Sequence, residues 1–109
     1  MIRLTADFWV GAYLARLRGM AIPAYVVARG DATAGSVLVK QSPLDGQATL
    51  WERFSGHADG ERHWVQVAAA AEPAIDAQIA RARARDPDLW VIEVEDRDGR
   101  HLLNQQGLD

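Results

Sequence analysis

The chain has 109 residues, enough for one domain with a real hydrophobic core. It holds no Cys, which excludes disulfides and thiolate chemistry and leaves any zinc site to His and carboxylates alone. A net charge of −3 argues against a general nucleic-acid or membrane-surface binder, whose footprint is a basic excess.

Thr5 and Asp7 both offer side-chain oxygens to the orphan N–H groups of a helix start. Val10, Leu14 and Leu17 follow at helical spacing, Phe8, Trp9 and Tyr13 widen the apolar face, and Pro23 prevents continuation. A helix is therefore expected over about Ala6–Arg18. From Ala24 the pattern changes to strands and tight turns. Ala24–Arg29 reads as an apolar strand, Gly30–Gly35 as a hairpin loop and Ser36–Ser42 as a second strand. Asp45-Gly46 is a two-residue hairpin signal that would set Leu44 opposite Gln47 and Lys40 opposite Trp51. Asp59-Gly60 repeats the signal more weakly, ahead of a strand Glu61–Val67 in which Trp64 faces away from His63, Val65 and Val67.

Ala68–Arg85 returns to helix, with Pro73 in its first turn and a narrow stripe of Ile75, Ile79 and Ala82. Pro87 ends it by pushing Asp86 out of the α region. Leu89–Glu95 is the clearest strand, with Trp90, Ile92 and Val94 on one face and Val91, Glu93 and Glu95 on the other. Asp98-Gly99 would turn it into a last strand, Arg100–Leu103, and the polar Asn104–Asp109 tail is expected to fray. The order α-ββββ-α-ββ predicts a single α+β domain over residues 1–109. Its economical form is an antiparallel sheet of five to six strands with both helices on one face, the fifth strand pairing beside the first.

The most chemical-looking stretch is His57-Ala58-Asp59-Gly60-Glu61-Arg62-His63. Along a continuous strand, His57, Asp59, Glu61 and His63 would share one face, as an acid–base pair or a bound cation requires. The Asp59-Gly60 turn breaks that alignment, and no metal-ligand set with its supporting shell is visible. The Gly30–Gly35 spacing superficially matches a phosphate loop, but the Lys-Ser/Thr pair and the following helix are missing. Arg81 and Arg85 share a helical face that could meet phosphates, yet Arg83 lies opposite and Asp76 and Asp86 dilute the charge. Glu93, Glu95, Asp96 and Asp98 read most simply as the solvent face of a strand near a sheet edge. Trp64 and Trp90 alternate with aliphatic neighbours as core residues do, whereas Trp9 and Trp51 are candidates for an interaction surface.

Arg29-Gly30-Asp31 with Gly35-Ser36-Val37-Leu38-Val39-Lys40, together with Asp86-Pro87-Asp88-Leu89-Trp90-Val91-Ile92-Glu93-Val94-Glu95-Asp96-Arg97-Asp98-Gly99-Arg100-His101, resemble a family of small single-domain alphaproteobacterial proteins whose domain has no established function. The Phe8-Trp9-Val10 start of the first helix is also similar. The resemblance covers nearly the whole chain. It implies a bacterial, cytoplasmic, stand-alone domain and supplies no catalytic residues.

The N-terminal apolar stretch is broken by Asp7, Arg16 and Arg18, and no charge-free run approaches the roughly 20 residues of a membrane span, so a cytoplasmic location is expected. The functional expectation is a non-enzymatic protein–protein interaction or self-associating domain, without cofactor or metal, using Trp51 and Trp9. The alternatives are a small hydrolase or lyase, metal-dependent or not, using His57, Asp59, Glu61 and His63, and nucleic-acid binding through Arg81 and Arg85.

Overall fold

The computed structural model describes residues 4–55 and 62–105; of Phe54, Ser55, Arg62 and His63 it describes the backbone alone. The elements run α1 (Ala6–Gly19), β1 (Ala24–Ala28), β2 (Val37–Ser42), β3 (Gln47–Ser55), β4 (Arg62–Ala71), α2 (Glu72–Arg85) and β5 (Trp90–Glu95). The α+β class holds: the described residues form two helices and a five-stranded sheet in the order β1-β5-β2-β3-β4.

The sheet is mixed rather than wholly antiparallel, because β5 runs parallel to β2 and antiparallel to β1. A parallel neighbour needs a long crossover, and the β3–β4–α2 excursion supplies it. β5 is thus interior, one strand in from the β1 edge. Its signal was the near-continuous apolar run Trp90-Val91-Ile92, which a strand buried on both faces carries. Val91, expected on the solvent face, is fully buried.

The helices lie on opposite faces. Trp9, Val10, Tyr13 and Leu17 of α1 pack on Val37, Val39, Trp90, Ile92 and Val94. Ile75 and Ile79 of α2 cover Leu38, Ala48, Leu50 and Val91 on the reverse. Both faces of β2 and β5 are apolar enough to require cover, which one layer of helices could not give. Ala68–Ala71, expected to open the second helix, instead extend β4 opposite Gln47–Leu50. Alanine there is short enough for α2 to lie close over the sheet, and Ala68 and Ala70 are packed beneath it.

The β2–β3 turn differs from a two-residue hairpin. Four residues separate the strands, and Leu44 and Gly46 take the positive φ values of 65° and 88°. The Asp45 carboxylate accepts the Gln47 N–H at 3.0 Å. Lys40 therefore pairs with Leu50 and Val39 with Trp51, one residue away from the expected register.

Among the described residues no sixth strand forms. Residues 100–103 leave the ladder because Leu102 and Leu103 are both buried in the α1-side core, which period-2 alternation would forbid. Leu102, with φ 60°, makes the bend.

The two segments that carried the family resemblance form one module. The Gly30–Gly35 loop folds over Asp88, whose carbonyl would collide with a Cβ at either glycine. Asp31 donates its N–H to that carbonyl at 2.9 Å, and Trp90 Nε1 donates to the Asp31 carbonyl at 2.8 Å. The same loop closes the start of α1, where Ala6 and Asp7 donate their N–H groups to the carbonyls of Thr33 and Ala32. Thr5 makes no side-chain cap.

Candidate functional site

The most strongly charged arrangement centres on Lys40, placed in mid-sheet by a run of buried neighbours. The register that pairs it with Leu50 turns it towards α2, where its side chain is only 4% exposed. Its Nζ meets Glu72 Oε1 and Asp76 Oδ1 at 2.8 Å each and Glu93 Oε1 at 3.3 Å. Glu72 and Asp76 sit one helical turn apart at the start of α2, and Glu93 is the parallel-strand partner of Lys40 itself. Burial alone would pull the Lys40 ammonium down. The bonds to Asp76 and Glu72 and the charge of Glu93 outweigh it and push the pKa well above the ordinary lysine value. Lys40 is therefore a fixed cation that ties α2 to the sheet, and a poor nucleophile or base, for which a neutral amine is needed.

Beside this centre the sheet face is open. α2 lies over β3 and β4, so Tyr25 on β1, which pairs with Glu93, is 53% exposed; Val27, at the β1 bulge, is 58% exposed. Tyr25 pairs with Glu93, and a hydrogen bond from its phenol to Glu95, with that carboxylate's charge, pushes its pKa up. The strip thus joins the exposed Tyr25 ring to Glu93, Glu95 and, through Lys40, to Glu72 and Asp76. Four carboxylates against one ammonium leave it strongly acidic.

The sheet edges are less inviting than its face. Each carries a bulge: the β1–β5 register skips Val27, and the β3–β4 register leaves Val67 over between Gln66 and Ala68. Bulges twist an edge away from further pairing.

On the α1 side, Trp51 is half-buried against His101, with ring centroids 4.6 Å apart. His101 is fixed by its own loop. Its Nδ1 accepts the Leu103 N–H at 3.0 Å, and its carbonyl accepts the Tyr13 hydroxyl at 2.8 Å. Burial lowers its pKa and keeps the ring neutral. Asp96 pins the start of this loop by accepting from the Arg100 N–H at 2.8 Å and from Nε and Nη2 at 3.0 Å each.

Of the residues singled out in the sequence, Trp9 and Trp51 both belong to the α1-side core, while Arg81 and Arg85 lie on α2. His57, Asp59 and Glu61 lie outside the described residues, and His63 is described only as the backbone partner of Phe54. Among the described residues no cluster of His, Asp and Glu could hold a metal ion. Trp9 is a core residue, 2% exposed and stacked on Tyr13. Arg81 and Arg85 are exposed on α2, and Arg85 rims a groove of about 240 Å³ floored by Leu38, Leu50 and Leu89. Arg83 between them is structural: its Nη1 donates to the carbonyls of Leu89, Pro87 and Arg29 at 2.7, 2.9 and 3.3 Å. Lys40 and Tyr25 were missed. The available signal was a single lysine, among eleven arginines, ending the apolar run Val37-Leu38-Val39. A charge in so apolar a strand needs partners.

The family model described as "Protein of unknown function (DUF1491)" matches residues 4–104. The chain belongs to this family. None of the curated proteins matches it. A crystal structure of a DUF1491 family protein from Caulobacter crescentus CB15 superposes with a TM-score of 0.85 at 45% identity, covering 94% of this chain and 96% of that one. An NMR structure of a DUF1491 family protein from the same organism gives 0.82 at 43%, covering 95% and 96%. A solution structure of a protein from A. tumefaciens gives 0.78 at 30%, covering 94% and 93%. The alphaproteobacterial resemblance carried by the Arg29–Lys40 and Asp86–His101 segments is thereby established. No described helix is long and apolar enough to cross a membrane.

Proposed function

We propose that this DUF1491 domain is a non-enzymatic interaction module of the bacterial cytoplasm. It would engage a partner protein through the sheet strip that α2 leaves uncovered. The observation that carries the reading is the exposure of Tyr25 on β1 opposite Glu93, with a second exposed apolar side chain, Val27, at the bulge two residues on. A half-exposed Tyr near an aliphatic residue suits an interface centre, and the acidic frame suits a partner segment carrying Arg or Lys. A second copy of this chain would bring like charges together on that face, so a basic partner is favoured over self-association. The saturated Lys40 centre supports a binding role over a catalytic one, since its charges are committed to one another.

The test is affinity purification from a bacterial lysate, followed by binding measurements on the recovered protein with native domain and with a Tyr25→Ser/Val27→Thr variant. Binding that weakens with salt and drops at least tenfold in a variant of unchanged melting temperature supports the proposal. A partner held equally by the variant would overturn it. So would a native domain that stays at its monomer mass of 12.0 kDa and retains no protein.

A further inference from the structure

The groove of about 240 Å³ on the α2 side of the sheet lies between the C-terminal half of α2 and strands β3 and β4. Gln78, Ala82 and Arg85 follow one another at helical spacing along its α2 wall. The single methyl of Ala82 leaves open the space that a longer side chain would fill. Leu38, Leu50 and Leu89 make the floor, and Val67, left over by the β3–β4 bulge, stands 42% exposed in the opposite wall. Glu52 on β3 and Arg85 and Asp86 at the end of α2 bring both signs of charge to the same groove. Asp86 is partly committed, since its Oδ1 accepts the Asp88 N–H at 3.1 Å. Among the described residues no ion pair joins Glu52 to Arg85.

We infer that this groove binds a small α-amino acid with an aliphatic side chain. Pockets for drug-sized ligands run to about 300–1,000 Å³, so the smaller volume here suits a smaller molecule. An aliphatic lining with a few polar groups is the composition of a ligand site. A purely anionic ligand would meet Glu52 and Asp86, and a purely cationic one would meet Arg85. A zwitterion answers both signs: Arg85 takes the carboxylate in its planar fork, and Glu52 takes the ammonium. The aliphatic side chain then lies on Val67 and the three leucines. None of these residues belongs to the Tyr25 strip, so the site stands independently of the partner surface proposed above.

The probe is L-leucine, titrated into the ¹⁵N-labelled full chain with the Val67 and Ala82 amide resonances followed. Glycine, N-acetyl-L-leucine and L-leucinamide are the controls, lacking in turn the side chain, the ammonium and the carboxylate. Leucine should give a saturable shift, with each control binding at least tenfold more weakly. Arg85→Gln and Glu52→Gln change exposed positions, where a neutral substitution leaves the fold intact. Each should weaken leucine at least tenfold. Arg85→Gln should leave the weak binding of leucinamide unchanged, and Glu52→Gln that of N-acetyl-leucine, which assigns each charge to its partner. Absence of a saturable leucine shift would overturn the inference. So would an equal affinity for any of the three controls, or undiminished leucine affinity in both variants.

Discussion

Lys40 stands directly opposite Leu50 across β2 and β3, and this single pairing sends Lys40 to α2 and Trp51 to α1. A slip of one residue would exchange their faces, burying an ammonium among the aromatic side chains under α1. The salt-bridged centre and the acidic strip beside it both depend on that register.

Removing the cation and removing its partners should not cost the same. Lys40→Met leaves Glu72, Asp76 and Glu93, which remain 35%, 55% and 22% exposed and can be hydrated. A loss of about 1–2 kcal/mol is expected. Glu72→Gln with Asp76→Asn strands an ammonium whose side chain is 4% exposed, and breaking a buried pair in this way costs about 3–5 kcal/mol. Urea unfolding of both variants gives the order; the reverse order would show that Lys40 does not hold α2.

Lys40 also fixes the sign of an alkaline effect. Its pKa is raised on folding, so its contribution is complete below the ordinary lysine value of about 10.4 and is lost as pH rises beyond it. Asp96 acts at the other end. The Arg100 bonds hold its carboxyl below the usual range, so its contribution is present above about pH 4 and disappears as pH falls through the lowered value. Stability curves measured from pH 7 to pH 2 should flatten at the acid end in Asp96→Asn. An unchanged acid slope would remove Asp96 from the account.

The three arginines of α2 should separate cleanly. Arg83→Met removes a guanidinium that binds three carbonyls at the junction of the Gly30–Gly35 loop and β5, at a cost of about 1.5–3 kcal/mol. Arg81→Ala, on the exposed face, should stay within about 0.5 kcal/mol of the native chain. Thermal unfolding distinguishes them. A charge-reversal variant of Arg81 and Arg85 that lost nucleic-acid binding, with steep salt dependence in the native chain, would revive the phosphate-contact alternative.

The sequence by itself determined the α+β class, α1, the buried stripe of α2, the inward faces of Trp64 and Trp90, and the family. Each follows from period, from turn residues or from a local motif, which act over a few residues. Only the tertiary structure decided the rest. The insertion of β5 between β1 and β2, the parallel pairing with β2 and the opposite placement of the helices come from which apolar faces find cover, a property of the whole chain. The Lys40 centre gathers residues 40, 72, 76 and 93, and the Trp51–His101 contact joins β3 to the C-terminal loop. No spacing along the chain announces such meetings, because they depend on the β2–β3 register, which a four-residue turn with Leu44 at positive φ sets one residue away from the simplest hairpin.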